Sequence, residues 1–287
     1  MKAGFIGLGH LGKAIAGRLA EREYPLVVWN RTAGRAAGLQ CSEADSPGAV
    51  AGQAEIVFLC LFDSQAVRQV LTGGQGLLSG NVAGKIIIDL TTNHFADVVS
   101  FHAICKAAGA FYLEAPVLGS VVPAAQGNLT VLVSGDRSAC ERIRPVLEDI
   151  GKNIFFLEKP GLATRMKLIN NMVLGSFMAA IAEAVSFAEQ VGLDKKEVVE
   201  ILSVGGGNSL VLNAKKAKLL EEDFSTHFSN ALMYKDLHCL MDLAYSEKKP
   251  LFTAAVIKEF YAQAVDHGLG QEDFSAIYRI FNKKREE

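Results

Sequence analysis

Apolar residues follow two rhythms along this chain, and the rhythm changes near Pro160-Gly161. Before that point, short apolar runs alternate with amphipathic stretches. The runs cover 3–7, 25–29, 55–61, 85–90, 111–114, 129–133 and 154–157, and they predict strands. They lack in–out alternation, which is the pattern of strands buried on both faces. Between them, apolar residues at helical spacing, such as Leu11, Ile15 and Leu19, predict helices over 11–22, 64–71, 94–108 and 137–150. The fold class expected is α/β: a Rossmann-type, doubly wound parallel sheet covered by helices on both faces.

After Gly161 no strand pattern appears. Residues 162–191 read as one long helix, apolar on nearly every face: Leu162, Met166, Ile169, Met172, Val173, Phe177, Ile181, Val185 and Ala188. A helix apolar all round has to be buried. It can be the core of a second domain, an interface between subunits, or both. Shorter helices are expected at about 194–203, 210–220, 228–246, 251–267 and 272–282. The chain therefore divides into an α/β domain, 1–161, and an all-helical domain, 162–287.

Composition narrows the class. Half of the 287 residues are hydrophobic, enough for a sizeable core. The net charge of −2, with no long basic run, argues against a nucleic-acid partner. Cysteines 41, 60, 105, 140 and 239 are scattered, without C-x-x-C pairing, as in a reduced cytoplasmic protein. The strand beginning at residue 3 leaves no room for a signal peptide before it. The uncharged stretch 168–182 is too short to span a bilayer, and 115–135 is broken by Pro116, Pro123, Gln126 and Asn128. No membrane segment is expected. The histidines show no H-x-x-x-H or H-E-x-x-H spacing, so no metal site is expected either.

The chemistry starts in the first strand–helix step. Gly7-Leu8-Gly9-His10-Leu11-Gly12 has the G-x-G-x-x-G spacing of a dinucleotide-binding turn. Gly7 permits the tight turn, Gly9 lets backbone approach a pyrophosphate, and Gly12 lets helix and strand meet closely. After the second strand such turns usually carry Asp or Glu for the ribose 2′-hydroxyl. This chain has Asn30, Arg31 and Thr32, with Arg35 a turn later. No carboxylate repels a 2′-phosphate there, and Arg31 can pair with one bidentately. The expected cofactor is NADP(H) in preference to NAD(H), unless both arginines are merely solvated surface charges.

Three later segments carry candidate chemistry. Lys167 lies early in the long apolar helix, with Asn171 one turn on and on the same face. Burial would suit such a lysine to general acid–base work, and Asn171 could bind the same oxygen. The plain alternative is a lysine snorkelling from the helix end. Leu113-Glu114-Ala115-Pro116-Val117-Leu118-Gly119-Ser120 follows a strand and is rich in small residues, so its amides could approach an anion; it could equally be a simple connection. Lys235-Asp236-Leu237 sits on an otherwise apolar helix, where adjacent charges ordinarily mark a solvated face.

Taken in order, the glycine turn, Asp89-Leu90-Thr91-Thr92, Glu114–Ser120, Gly161 with Lys167-Leu168 and Asn170-Asn171, and Lys235-Asp236-Leu237 resemble the β-hydroxyacid dehydrogenases along the whole chain. That family includes 3-hydroxyisobutyrate dehydrogenase and the glyoxylate/succinic semialdehyde reductases. The resemblance implies hydride transfer between a nicotinamide and a small aldehyde or oxo acid, or the matching hydroxy acid, in a homodimer or homotetramer. It implies Lys167 as the catalytic lysine and Asn171 as a substrate ligand. Gly119 and Ser120 fall in its substrate-anion loop, and Cys60, Leu61, Asp63 and Thr92 fall beside the cofactor. Phe228 and Asp236 fall at the pocket wall supplied by the helical domain and Lys235 beside the cofactor, and the nicotinamide would be closed between the two domains. One position departs: the family usually has serine where this chain has Leu118. A lost hydroxyl contact to a charged group is worth about 1.5–3 kcal/mol, which leaves the substrate open. A related imine reductase and a non-catalytic nucleotide-binding scaffold are the other readings of the same sequence.

Overall fold

The computed structural model describes residues 1–282; the last five residues of the expected helical domain lie outside the described residues. It divides into two compact units, Met1–Lys167 and Leu168–Glu287. The division falls within a helix, past the change of rhythm at Pro160-Gly161.

In the first unit, β1 (Ala3–Ile6), α1 (His10–Glu21), β2 (Leu26–Trp29), β3 (Ser42–Glu43), α2 (Pro47–Gln53) and β4 (Ile56–Leu59) lead into α3 (Ser64–Thr72) and β5 (Ile86–Asp89). Then come α4 (Phe95–Ala107), β6 (Phe111–Glu114), β7 (Val117–Leu118), α5 (Val121–Ala125), β8 (Leu129–Gly135), α6 (Arg137–Ile150) and β9 (Gly151–Phe156). The sheet runs β3-β2-β1-β4-β5-β6-β8-β7, with β9 on β8. Pairing from β3 to β6 is parallel. β8 breaks the all-parallel expectation by pairing antiparallel to both β6 and β7. The connection from β7 to β8 turns at Gly119 and Gly127, both at positive φ, and with only the short α5 in it falls below the dozen or so residues that a parallel crossover needs.

Alternation along the central strands supplies both faces. Phe5, Val28, Phe58 and Ile88 point into one core with Ile15 and Leu19 of α1 and Ile143 and Leu147 of α6. Their neighbours Ile6, Val27, Val57 and Ile87 point into the other, with Val50 of α2, Val67 of α3 and Phe101 of α4. The order reverses at β1, since β2 lies on one side and β4 on the other. Open α/β sheets bind ligands at the carboxyl ends of strands flanking such a switch point. The elements missed in sequence are β3, β7, α2 and α5, all too short to display a period. For α2 a signal existed: Ser46 caps it by accepting from the Ala49 N–H, with Pro47 at the first helical position.

α7 (Leu162–Gln190) is followed by α8 (Lys195–Val204), α9 (Leu210–Glu221), α10 (Asn230–Ser246), α11 (Phe252–Ala264) and, after two irregular turns, α12 (Tyr278–Phe281). The second unit is built round Met178, Ile181, Ala182 and Val185 of α7, against Val199, Leu212, Leu237, Ile257 and Tyr261. α7 is not buried all round within the single chain. Leu162, Met166, Ile169, Val173, Phe177 and Phe187 form an exposed stripe at helical spacing. α7 is also long and apolar enough to cross a membrane, longer than the stretch 168–182 judged in sequence, although 44% of its most apolar window is buried within the protein. Its buried side carries Asn171, whose amide donates to Asp236, a polar contact that suits a protein core and not a lipid tail.

Candidate active site

The glycine turn sits at the carboxyl end of β1. Gly7 has φ +99°, and a Cβ there would lie 2.3 Å from the Cys60 carbonyl oxygen. A Cβ on Gly12 would lie 2.1 Å from the Gly7 oxygen, so α1 can start this close to the strand only with glycine. Gly9 differs: a Cβ added to it meets nothing within 4 Å. Its bareness serves something other than internal packing. α1 begins without a side-chain cap, and the first bond within it is Lys13 N–H to the Gly9 oxygen. The N–H groups of His10, Leu11 and Gly12 thus have no acceptor inside the helix. An uncapped helix start facing an unfilled glycine suits a pyrophosphate.

Asn30 sets this turn in place. Its Oδ1 accepts from the Leu8 N–H at 2.8 Å, and its Nδ2 donates to the Thr32 oxygen at 2.8 Å. Leu8 itself is a core residue, and its amide is already engaged. Arg31, Thr32 and Arg35 are fully on the surface next to this corner, as a 2′-phosphate would require.

The ends of β4 and β5 line up beside the turn: Cys60 N–H donates to the Ile6 oxygen and Leu90 N–H to the Leu59 oxygen. Leu61 N–H donates to Thr91 Oγ1 at 3.0 Å. Asp63 caps α3, accepting from the Ala66 N–H at 2.8 Å, so its carboxylate is committed to structure. Thr92 is partly exposed at the same edge. Burial, then the Asp89 carboxylate, push the partly buried Cys60 thiol up to about 12. Asp89 is wholly buried, accepting from Tyr112 Oη at 2.5 Å, Asn93 Nδ2 at 2.8 Å and Thr91 N–H at 2.9 Å. Burial raises its pKa above the ordinary value, against the pull of those donors.

Leu118 and Gly119 are not in an open loop. Leu118 lies in β7 opposite Thr130, half-buried. Gly119 turns at φ +121°, and Ser120 precedes α5 without a side-chain cap bond. Lys167 is 8% exposed, one turn into α7. Glu114, at the end of β6, accepts from the Gly161 N–H, the Thr164 N–H (2.9 Å) and the Thr164 hydroxyl (2.6 Å). These bonds hold the start of α7 at the end of the strand that runs into residues 115–120. In the sequence Glu114 stands out only as part of the Glu114–Ser120 motif. The available signal was a carboxylate ending an apolar strand.

The second unit holds its own polar cluster. Asn171 Nδ2 donates to Asp236 Oδ2 at 2.6 Å, with both residues buried. Lys235 Nζ lies 2.8 Å from Asp236 Oδ1 as an ion pair, without the alignment of a hydrogen bond. The solvated-face reading therefore fails for Asp236. Phe228 packs edge-on against Phe274, 5.8 Å between centroids. Among the described residues no group of three or more His, Cys, Asp or Glu could hold a metal ion, and all five cysteines are free.

Comparison with known proteins agrees with this arrangement. Residues 2–158 match the NAD-binding domain of 6-phosphogluconate dehydrogenase, and 161–281 match the NAD-binding domain of NADP-dependent 3-hydroxyisobutyrate dehydrogenase. The chain is 34% identical to the chloroplastic glyoxylate/succinic semialdehyde reductase 2 of Arabidopsis thaliana, over 96% of this chain and 77% of that protein. It is similar in structure to 3-hydroxyisobutyrate dehydrogenase (ygbJ) of Salmonella typhimurium, at 27% identity and TM-score 0.90, covering 98% and 100% of the two chains. Psf3, in complex with NADP+ and 2-OPP, matches at 28% identity and TM-score 0.89, covering 97% and 99%. The chain spans about half the length of relatives named cytokine-like nuclear factor N-PAC, such as that of Anopheles gambiae, at 33% identity over 97% of this chain and 50% of that protein. A dinucleotide turn at a sheet switch point, an all-helical second unit and these matches across both establish that the chain belongs to the β-hydroxyacid dehydrogenase family of NAD(P)-dependent oxidoreductases.

Proposed function

We propose that the protein is an NADPH-dependent reductase of small aldehydes or 2-oxo acids, reversible to oxidation of the matching hydroxy acid, with Lys167 as its general acid and base. The observation that carries this reading is the burial of Lys167 in a helix start tied to the end of β6. Bound NADPH supplies the hydride. As the carbonyl carbon is reduced, its oxygen gathers negative charge. The Lys167 ammonium stabilises that charge and delivers the proton; in the reverse direction neutral lysine removes it. An amide nitrogen carries two hydrogens, and Asn171 spends one on Asp236, which fixes its plane and leaves the other to donate to the substrate.

NADP(H) preference is supported by exposed Arg31 and Arg35 beside a corner that has asparagine in place of a carboxylate. An NADP+ complex among the structural relatives supports it further. Half-buried Leu118 cannot hold a carboxylate, so the pocket favours small or weakly polar carbonyl compounds unless Ser120 takes over. Subunit pairing through the exposed face of α7 and a cytoplasmic setting belong to the same reading. The decisive screen follows oxidation of NADPH and NADH with C2–C5 aldehydes and oxo acids, with and without a carboxylate. A higher kcat/KM with NADPH and turnover of at least one carbonyl compound are expected. Cyclic imines as the sole substrates would favour the imine reductase reading. No oxidation by any compound would leave a nucleotide-binding scaffold, the reading raised by the likeness to proteins named nuclear factors.

A further inference from the structure

α7 has a borrowed cap. Most helices satisfy their first N–H groups with a side chain from the residue just ahead. Here the acceptors come from strands. Ser134 Oγ, in β8, accepts from the Ala163 N–H at 3.0 Å. Glu114 takes Gly161 N–H on Oε1 and both the N–H and the hydroxyl of Thr164 on Oε2. Those partners lie 47 and 50 residues away in sequence. Thr164, which could have served as a local donor or acceptor, is turned wholly into this carboxylate.

The carboxylate is 1% exposed, so its charge is compensated by these donors and by the positive end of the helix. His102 Nε2 lies 3.7 Å from Oε1 and makes no hydrogen bond of its own. Two oxygens gripping two points of one helical turn fix both its height and its rotation about the axis. Lys167 follows Thr164 by three residues, one turn up, so its position inherits that grip. The other end of the tether is the residue immediately before Ala115, where the chain enters the 115–120 segment.

We propose that Glu114 is a positioning residue for the reaction: it sets the Lys167 ammonium against the substrate segment that begins at the next residue. This rests on the assignment of Lys167 as the proton donor. Aspartate is one methylene too short to grip both points. Glutamine replaces one acceptor with an NH2 that faces a helix N–H.

The test uses Glu114→Gln and Glu114→Asp, each alone and combined with Lys167→Ala, with NADPH and the C2–C5 carbonyl compound turned over fastest in the screen above. Since a misplacement of about 1 Å can cost on the order of 10²-fold, each single variant should lose about 10- to 100-fold in kcat. NADPH affinity, read by fluorescence, should stay within about twofold, because the glycine turn is untouched. In the Lys167→Ala background the same changes should cost no more than about twofold, because residues acting as a unit are not additive. Equal losses in both backgrounds would mean a merely structural role and overturn the proposal, as would unchanged kcat in the single variants. Hydrogen exchange of residues 160–168 gives a readout without turnover: faster exchange in Glu114→Gln supports the tether, and unchanged exchange refutes it. If Glu114→Gln fails to fold, Glu114→Asp, which keeps the charge, carries both measurements. If Lys167→Ala alone leaves kcat intact, the lysine assignment has failed, and the exchange result alone then judges the tether.

Discussion

Asn171 and Asp236 are joined by a 2.6 Å hydrogen bond between two side chains that are 0% and 1% exposed. A charged acceptor in a dry place fixes which way the asparagine amide faces. Asp236→Ala should therefore release Asn171 and raise KM for the carbonyl substrate by about tenfold, with a stability loss of about 1–3 kcal/mol from the unsatisfied amide. Steady-state kinetics and urea unfolding check both. Unchanged KM would mean that Asn171 does not touch substrate.

Two glycines of the motif make opposite predictions. Gly12→Ala puts a Cβ against the Gly7 oxygen and should lower Tm by several degrees, about 1 kcal/mol or more in a chain of this size. Gly9→Ala meets nothing in the protein and should leave Tm nearly unchanged. It should nonetheless weaken NADPH binding by about tenfold, roughly 1.4 kcal/mol, because the methyl takes the space of a phosphate. Calorimetry with and without NADPH reads both effects. Full affinity in Gly9→Ala would remove the turn from the cofactor site.

The stripe along α7 leaves Phe177 47% and Phe187 63% exposed in the isolated chain. Contiguous apolar surface of this kind marks an interface. Phe177→Asp is expected to convert a dimer or tetramer to monomer in sedimentation velocity at micromolar protein. A wild-type chain already monomeric there would contradict the proposed pairing.

Asp273 supports the second unit at acid-sensitive cost. It pairs with Lys215 Nζ at 2.9 Å and accepts from the His227, Phe228 and Ser275 amides. Burial alone would raise its carboxyl, but the Lys215 ammonium and the Ser275 and His227 donors outweigh it and hold the pKa below the ordinary value. Burial also pushes Lys215 down while Asp273 pulls it up; the many donors to the carboxylate make the ionised pair the native form. A depressed carboxyl gives stability that is present above its unfolded pKa of about 4 and lost as pH falls through the folded value. Asp273→Asn should cost about 3–5 kcal/mol at pH 7 by leaving Lys215 buried alone. The deficit should shrink towards pH 3, and an equal deficit at both pH values would contradict this account.

Much of this is legible in the sequence, because it rests on local pattern. The glycine spacing, the doubly buried strands and the apolar helix starting at Leu162 are all signals carried by neighbouring residues. What was hidden depends on residues distant in sequence. Nothing near Glu114 indicates that it reaches Gly161 and Thr164, and nothing near Asp236 marks it as buried against Asn171. β7 and α5 are too short to carry a period, so the segment around Leu118 read as loop. The exposed side of α7 escaped because a composition that is apolar all round does not reveal which face lacks a partner.

The central claim is that Lys167 moves the proton. Lys167→Ala, assayed with NADPH and the best carbonyl substrate from the screen, tests it most directly. The account predicts a fall in kcat of about 10²–10⁴-fold, with NADPH affinity nearly unchanged. Undiminished turnover in that variant would contradict it.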